Sequence, residues 1–196
     1  QSIYRQEIGK DYPRTYPHTT ELLADSLNNK AISLLDLGHE ANALENWRKA
    51  KANHPHHPET VFNLGYWLWQ HGEQTDQTYL EQINAVCAQH PERADLDWLA
   101  GIVYAEIGNL EEAVNRLKKA WNQGHWEAGI VCAACLSAME KQIEGHGLYQ
   151  EVWSQYAREI TQRFGIAEDV WHLLSSHPFP WRHCDLRVGE HSPQNT

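Results

Sequence analysis

The stretch AISLLDLGHEANALENWRKAKANHP, residues 31–55, carries two apolar patterns of helical period on either side of a glycine. Two later stretches have the same plan: GYWLWQHGEQTDQTYLEQINAVCAQHP at 65–91 and GIVYAEIGNLEEAVNRLKKAWNQGH at 101–125. In each, a small first residue is followed seven residues later by a glycine: Gly38, Gly72 and Gly108. These glycines lie 34 and 36 residues apart, and a period of this length indicates stacked pairs of helices.

Each position in this plan has a physical role. The small first residue, Ala31, allows the two helices of a pair to approach closely, and the glycine ends the first helix in a left-handed conformation. In the second helix, Trp47 is large enough to fill the space between neighbouring pairs, and Pro55 stops the helix. Small residues flank the large one, at Ala43 and Ala50.

The other two stretches fill these positions with some departures. The equivalent residues are Tyr79, Ile83, Val86 and Pro91 in the second stretch and Ala113, Leu117, Ala120 and His125 in the third. The second stretch fits only after two residues are inserted in its turn. Because Tyr79 and Val86 are larger than the pattern prefers, we expect the second helix pair to be slightly more open.

These residue types and spacings resemble the tetratricopeptide repeat (TPR) family over roughly residues 24–160. The resemblance implies an all-α, right-handed superhelical solenoid of three or four helix pairs. A fourth pair is predicted from EAGIVCAACLSAMEK, with Cys135 at the small position, 34 residues after Gly101. Its second helix is LYQEVWSQYAREI, where the expected spacing returns after two inserted residues, at Tyr149, Trp153 and Tyr156.

The two ends differ in character from the repeats. We expect an extended lead-in at 1–19, a repeat domain at 20–176 and an irregular tail at 177–196. A short helix at 167–176 is predicted to cap the stack, because an end repeat otherwise exposes its apolar face.

A further likeness involves LLADSLNNKAISLLDLG and HPETVFNLGYWLWQHG, residues 22–38 and 57–72. They are similar to TPR segments of large bacterial proteins that carry a Ser/Thr kinase and WD-type propeller repeats. This resemblance implies an interaction or regulatory segment of a signalling protein. It brings no kinase chemistry, since the sequence has neither a Gly-rich nucleotide loop nor an Asp-Phe-Gly motif.

The amino-acid composition excludes several classes of partner. The 196 residues include 16 Lys and Arg and 26 Asp and Glu, which gives a formal net charge of −10. This acidic balance argues against nucleic acid as a partner, because phosphate binding requires a basic face. No apolar run reaches the about 18–20 residues of a membrane-spanning helix. Because four cysteines are too few for a disulfide scaffold of this length, we expect a cytoplasmic protein, and no cofactor is predicted.

Cys132 and Cys135 form a Cys-x-x-Cys motif inside the predicted fourth repeat. A redox motif of this kind should open a helix after a strand, and half of a zinc site needs two further ligands at a defined spacing. Neither condition is met, so we interpret Cys135 as a buried small residue. The same register places Cys132 on the groove line, where it should react faster with thiol reagents.

Histidines cluster at the boundary between the first two repeats, in His54-Pro55-His56-His57-Pro58. We interpret this segment as a surface turn, with weak capture of a metal ion as the alternative. No metal site and no catalytic site are predicted.

In TPR folds the first helices line a concave groove, at fixed offsets from the small residue. In this sequence the offsets place aromatic residues at the centre of the groove and acidic residues along its edges. The predicted groove residues are Asp25, Asn28, Asp36, Glu59, Phe62, Tyr66, Trp69, Asp95, Trp98 and Glu106. Trp67 and Tyr104 are assigned to the interior instead. None of the residues at these offsets is Lys or Arg. The predicted groove therefore differs from the TPR grooves that bind an acidic chaperone tail.

The sequence therefore predicts a protein-interaction module and not an enzyme. Its groove is expected to bind a basic and apolar segment of another protein or of another domain on the same polypeptide. One alternative is a homo-oligomerisation scaffold, and the oligomeric state is left open. The other is a helical metal-binding or redox protein that uses Cys132 and Cys135 together with histidines such as His125, His172, His177 and His183.

Overall fold

The structure is a computed structural model, which describes residues 20–93 and 95–164. The predicted lead-in at 1–19, capping helix at 167–176 and tail at 177–196 lie outside these residues. The described residues form eight helices: α1 Thr20–Asp36, α2 Glu40–Asn53, α3 Pro58–Gln70, α4 Asp76–Gln89, α5 Asp95–Ile107, α6 Leu110–Asn122, α7 Trp126–Ala138 and α8 Gln142–Phe164. None of these helices is both long enough and apolar enough to cross a membrane.

Consecutive helices pack in pairs, α1 with α2, α3 with α4, α5 with α6 and α7 with α8, and each pair packs on the next. The predicted all-α helical solenoid is thus confirmed, with four helix pairs. The helix starts follow local sequence signals. The Thr75 hydroxyl accepts the Thr78 N–H before α4, and the Asn109 side chain accepts the Glu112 N–H before α6. Such caps satisfy amide groups that the first turn leaves without helical partners.

The turn inside each pair is built in the same way. Gly108 has φ 91°, its amide bonds to the Ala105 carbonyl at 3.1 Å, and the Asn109 amide bonds to the Tyr104 carbonyl at 2.9 Å. This is the left-handed helix ending that the sequence predicts at Gly108. In the fourth pair Glu140 takes the same place, with φ 63°. Glu140 therefore marks the register of a repeat that lacks the glycine.

That register corrects the prediction for the fourth repeat. Counting seven residues back from Glu140 gives Ala133, not Cys135, as the small residue of α7. Ala133 packs with Tyr149 and Val152 of α8, as a small first-helix residue should. The second-helix positions are then Gly145, Tyr149 and Val152, and no insertion is needed.

The physical cause of this shift is the end of α6. Gly124 closes that helix with φ 96°, and the His125 amide bonds to the Ala120 carbonyl at 3.0 Å. α6 has 13 residues and is followed by the three residues 123–125, whereas α2 in the first repeat has 14 residues and is followed by the four residues 54–57. The shorter helix and the shorter connection together advance α7 by two residues relative to a 34-residue period.

Two glycines allow the close helix approach that the sequence predicts. A Cβ atom at Gly101 would lie 2.6 Å from Leu117 Cγ, and one at Gly65 would lie 2.5 Å from Tyr79 Cε2. The Tyr79 hydroxyl donates to the Phe62 carbonyl at 3.0 Å. The Tyr79 ring occupies the space beside Gly65, and α3 and α4 pack less closely than the helices of the other pairs, in agreement with the predicted opening.

The predicted burial of Trp47 is also confirmed. Its side chain is 1% exposed, and it packs with Ala31, Leu44 and Leu64 between the first pair and α3. The indole is therefore part of the contact between repeats, where a large residue fills the space left by smaller neighbours.

Candidate binding groove

The predicted groove residues all lie on first helices, and the structure divides them by environment. Some are buried, some are paired in an ionic ladder, and some form a partly exposed aromatic patch. Asp36 is exposed at the end of α1, and Glu106 is partly exposed near the end of α5. The pKa of Tyr79 is raised mainly by burial and further by the charges of Tyr66 and Glu106. Glu106 therefore lies near the second repeat.

Phe62 and Asn28 do not line a groove, which corrects the prediction for both. Each side chain is 1% exposed. Phe62 belongs to the main core. Asn28 Oδ1 accepts the Trp47 Nε1–H at 3.0 Å and the Asn63 Nδ2–H at 2.9 Å. Neither side chain is available to a partner, because Phe62 is buried in the main core and Asn28 is hydrogen-bonded to Trp47 and Asn63.

Three of the predicted edge acids, Asp25, Glu59 and Asp95, are paired with basic side chains. Asp25 Oδ1 lies 2.7 Å from His57 Nε2, and Glu59 Oε1 accepts an Arg93 N–H at 2.7 Å. Arg93 also binds Asp95, and this hydrogen bond raises the pKa of the Arg93 guanidinium above its ordinary value. We call these five residues the ionic ladder. Their mutual compensation leaves less charge to steer a cationic partner than the sequence predicts.

The ionic ladder follows the repeat. Its acids lie six residues before the small residue of their own repeat, and its bases lie eight residues before it. The acids are Asp25, Glu59 and Asp95, and the bases are His57 and Arg93. Each base meets the acid of the preceding repeat. The offsets that predict the groove do not include the bases, although their equivalent positions in the repeat could have indicated them.

His57 also corrects the interpretation of the histidine segment as a surface turn. Its side chain is 2% exposed, and it caps the start of α3 by accepting the Thr60 N–H. The ring is buried because it lies against Asp25 of α1 and Glu59 of α3.

Tyr66 and Trp69 of α3 and Trp98 of α5 remain partly exposed and pack against the main core. We call these three residues the aromatic patch. Tyr66 stacks on Phe62, with ring centroids 6.0 Å apart, and lies 6.0 Å from the Trp69 ring. The Trp69 Nε1–H donates to Asp76 Oδ1 at 2.7 Å. This bond fixes the indole and leaves part of its apolar ring accessible.

Trp67 and Tyr104 have different environments. Tyr104 is buried, as predicted, and its hydroxyl bonds to Asn84. Trp67 is only partly buried, stacks on His71 with centroids 3.8 Å apart, and donates to Glu40 Oε1 at 3.0 Å. Apart from the His71 contact, the Trp67 ring packs against the first repeat, so it is separate from the aromatic patch.

Cys132 and Cys135 are both fully buried, so the prediction that Cys132 lies on the groove line is wrong. The corrected register turns α7, and the Cys132 sulfur lies 4.0 Å from the Val114 carbonyl of α6. Burial raises the pKa of Cys132 to about 12 and also raises the pKa of Cys135. Thiols held neutral in this way are poor metal ligands and poor redox nucleophiles.

Comparison with known proteins agrees with this architecture. No family model and no curated protein matches the sequence. Among solved structures, the chain is similar to MamA (residues 41 to the end) from Desulfovibrio magneticus RS-1, with a TM-score of 0.54 and 19% identity over 67% of this chain and 74% of that one. It is also similar to a tetratricopeptide repeat protein from Parabacteroides merdae, with a TM-score of 0.56 and 16% identity over 79% and 59% of the two chains.

A second MamA structure has a TM-score of 0.55 and 15% identity, over 82% of this chain and 86% of that one. At these identities the likeness concerns the fold. The chain therefore has a TPR-like fold.

Proposed function

We propose that the protein is a protein-interaction module, not an enzyme, that binds a segment of a partner through the aromatic patch. The observation that supports this most directly is the partial exposure of Tyr66, Trp69 and Trp98 on two first helices of a TPR-like stack. Tyr and Trp dominate binding hot spots because they offer large, stiff contact surfaces. The Trp69–Asp76 bond holds one such surface in place before the partner arrives.

We infer that the partner segment carries apolar side chains together with Arg or Lys. An Arg or Lys over an aromatic face contributes about 0.5–2 kcal/mol. The chain carries a net charge of −10, and the acids near the patch include Asp76 and Glu106. Since Asp25, Glu59 and Asp95 are paired within the ionic ladder, we assign the main part of the affinity to the aromatic residues.

The sequence likeness to bacterial kinase and WD-repeat proteins supports a regulatory or signalling setting, and the small number of cysteines supports the cytoplasm. The partner is then a separate protein or another domain of the same polypeptide. Nucleic acid and membrane are not proposed as partners, because a chain with a net charge of −10 repels phosphate groups.

The experiment is capture of the partner by the purified chain, followed by binding kinetics of Trp69→Ala and Trp98→Ala variants. We expect each substitution to speed dissociation and the double variant to lose most of the affinity. Trp67→Ala is the matched control, since Trp67 lies on the same helix as Trp69 but packs toward the first repeat. Normal binding by the double variant would place recognition elsewhere on the molecule.

Raising salt should slow association, because it screens the attraction between the acidic chain and a cationic segment. A strongly acidic partner would contradict the inferred charge of the segment while leaving the aromatic contact in place. Light scattering over a range of concentrations tests the homo-oligomerisation alternative: concentration-dependent assembly of the pure chain would favour that scaffold.

A further inference from the structure

The start of the ionic ladder brings together three groups that commonly bind metals in proteins. Asp25 comes from α1, His57 from the turn before α3, and Glu59 from the first turn of α3. One donor atom of each lies within 4.8 Å of the other two. His57 Nε2 is 2.7 Å from Asp25 Oδ1 and 3.5 Å from Glu59 Oε2. We propose that these three residues form a site for a divalent transition-metal ion, best matched by Zn²⁺, that links the first and second repeats.

Thr60 offers His57 Nδ1 a hydrogen-bond donor and a hydrogen-bond acceptor. The His57 Nδ1 atom lies 3.2 Å from the Thr60 N–H nitrogen and 2.8 Å from the Thr60 hydroxyl oxygen. Without a metal, Nδ1 accepts the N–H and the ring proton sits on Nε2, facing Asp25. When Zn²⁺ takes the place of the Nε2 proton, the neutral ring carries its proton on Nδ1 and donates it to the Thr60 hydroxyl, and the Thr60 N–H no longer bonds to Nδ1. A metal-bound histidine usually donates its second ring N–H in this manner.

The charge balance also favours a divalent cation. The ladder holds three carboxylates, and Arg93 is its one permanent cation when His57 is neutral, which leaves two negative charges uncompensated. Arg93 binds Oε1 of Glu59, whereas Oε2 of the same carboxylate faces His57. Arg93 thus orients Glu59 toward the site without occupying the oxygen that would bind the metal.

The donor set selects the class of ion. One imidazole nitrogen and two carboxylate oxygens suit Zn²⁺ and other borderline divalent ions better than Mg²⁺ or Ca²⁺, which prefer oxygen alone. Asp25 and Glu59 are partly exposed, so water can complete the coordination. The buried His57 ring and the partly open carboxylate side therefore give the site three protein ligands and one open position, with no sulfur.

The test is calorimetric titration of the chelator-treated full chain with Zn²⁺. We expect one equivalent to bind that is lost, or weakened about tenfold or more, in both His57→Gln and Asp25→Asn. Thr60→Val should weaken binding about tenfold, because it removes the acceptor for Nδ1–H but keeps the backbone N–H. His71→Gln is the matched control: His71 is an exposed histidine whose Nε2 lies 3.8 Å from Glu40 Oε1, and its loss should leave binding unchanged.

X-ray absorption at the zinc edge, measured on the unmodified chain, keeps the proposal testable if a buried variant unfolds. We expect a first shell of nitrogen and oxygen. Sulfur in that shell would overturn the proposal and assign zinc to a cysteine. Equal stoichiometry and affinity in the folded Asp25→Asn and unmodified chains would overturn it as well.

Discussion

The indole N–H of Trp47 donates a hydrogen bond to the side-chain oxygen of Asn28 at 3.0 Å, inside the contact between the first and second repeats. The same oxygen accepts a second hydrogen bond from Asn63, at 2.9 Å. One residue from each of α1, α2 and α3 is therefore joined in a buried polar contact surrounded by apolar side chains. This contact favours the observed position of the second repeat on the first, because moving the three residues apart would break two buried hydrogen bonds.

Trp47→Ala should destabilise the fold by about 3–5 kcal/mol, since truncation of a buried aromatic residue removes contacts and leaves a cavity. Trp47→Phe should cost less but still more than a surface change, because Asn28 then loses one of its two donors. Denaturant unfolding followed by circular dichroism measures both. Near-native stability of Trp47→Ala would show that the contact between the first two repeats is not as described.

Gly101→Ala should destabilise the third repeat by about 1–3 kcal/mol, because the new Cβ would lie 2.6 Å from Leu117 Cγ. In the Leu117→Ala background the same substitution should cost much less, which is the signature of a direct clash. The matched control is Gly147→Ala in α8, where a Cβ meets nothing within 4 Å. That change should stabilise by about 0.4–1 kcal/mol. Equal effects at Gly101 and Gly147 would contradict the described packing.

Glu140→Gly should stabilise the protein by about 0.5–1 kcal/mol. Glu140 has φ 63°, a conformation that costs a residue with a side chain about 1–2 kcal/mol, and the greater entropy of unfolded glycine cancels part of the gain. The reverse change, Gly108→Ala at the equivalent turn, should destabilise. Thermal unfolding of the two variants gives the comparison, and a lower melting temperature for Glu140→Gly would remove the assignment of Glu140 to the repeat turn.

Neither Cys132 nor Cys135 should react with thiol reagents until the fold opens, because both side chains are fully buried. Cys87 is partly exposed and should react first among these three. Labelling is best followed by mass spectrometry in a Cys184→Ser background, which removes the fourth cysteine. Rapid labelling of Cys132 in the native protein would restore its predicted position on the groove line.

Stability should fall as pH rises from about 9 to about 12. Burial raises the pKa of Cys132 from 9.0 to about 12, so over this range the folded chain holds a proton that the unfolded chain releases. Holding more protons in the folded state makes stability decrease with pH. The fall should be shallower in Cys132→Ala, measured by denaturant unfolding at several pH values. An identical pH profile for the variant would mean that Cys132 is not buried as a neutral thiol.

Much of the fold could be predicted from local signals, because a repeat encodes its helices and turns within one period. The seven-residue step from the small residue to the turn holds at Gly38, Gly72, Gly108 and Glu140 alike. The fourth repeat was misplaced because its turn residue is a glutamate, which gives no sequence signal for a positive φ. Both of its helices were predicted, although α8 begins at Gln142, six residues before the predicted Leu148, and the side of α7 that faces α6 was predicted wrongly.

Only part of the candidate site could be predicted from the sequence. The offsets identified Tyr66, Trp69 and Trp98, which remain partly exposed, but they also selected Phe62 and Asn28, which are buried. An offset within a helix says which side chains share a face. It does not say how closely the next repeat covers that face.

The sequence by itself determined the helix pairs, the turns and the register of the first three repeats, since these depend on residues close together in the chain. Only the tertiary structure decided which charges meet. Asp25 and His57 are 32 residues apart, and Glu59 and Arg93 are 34 apart, and each pair forms because one repeat stacks on the next. Stacking brings an acid of one repeat against a base of its neighbour, and this contact is set by packing between repeats, which a local pattern does not specify.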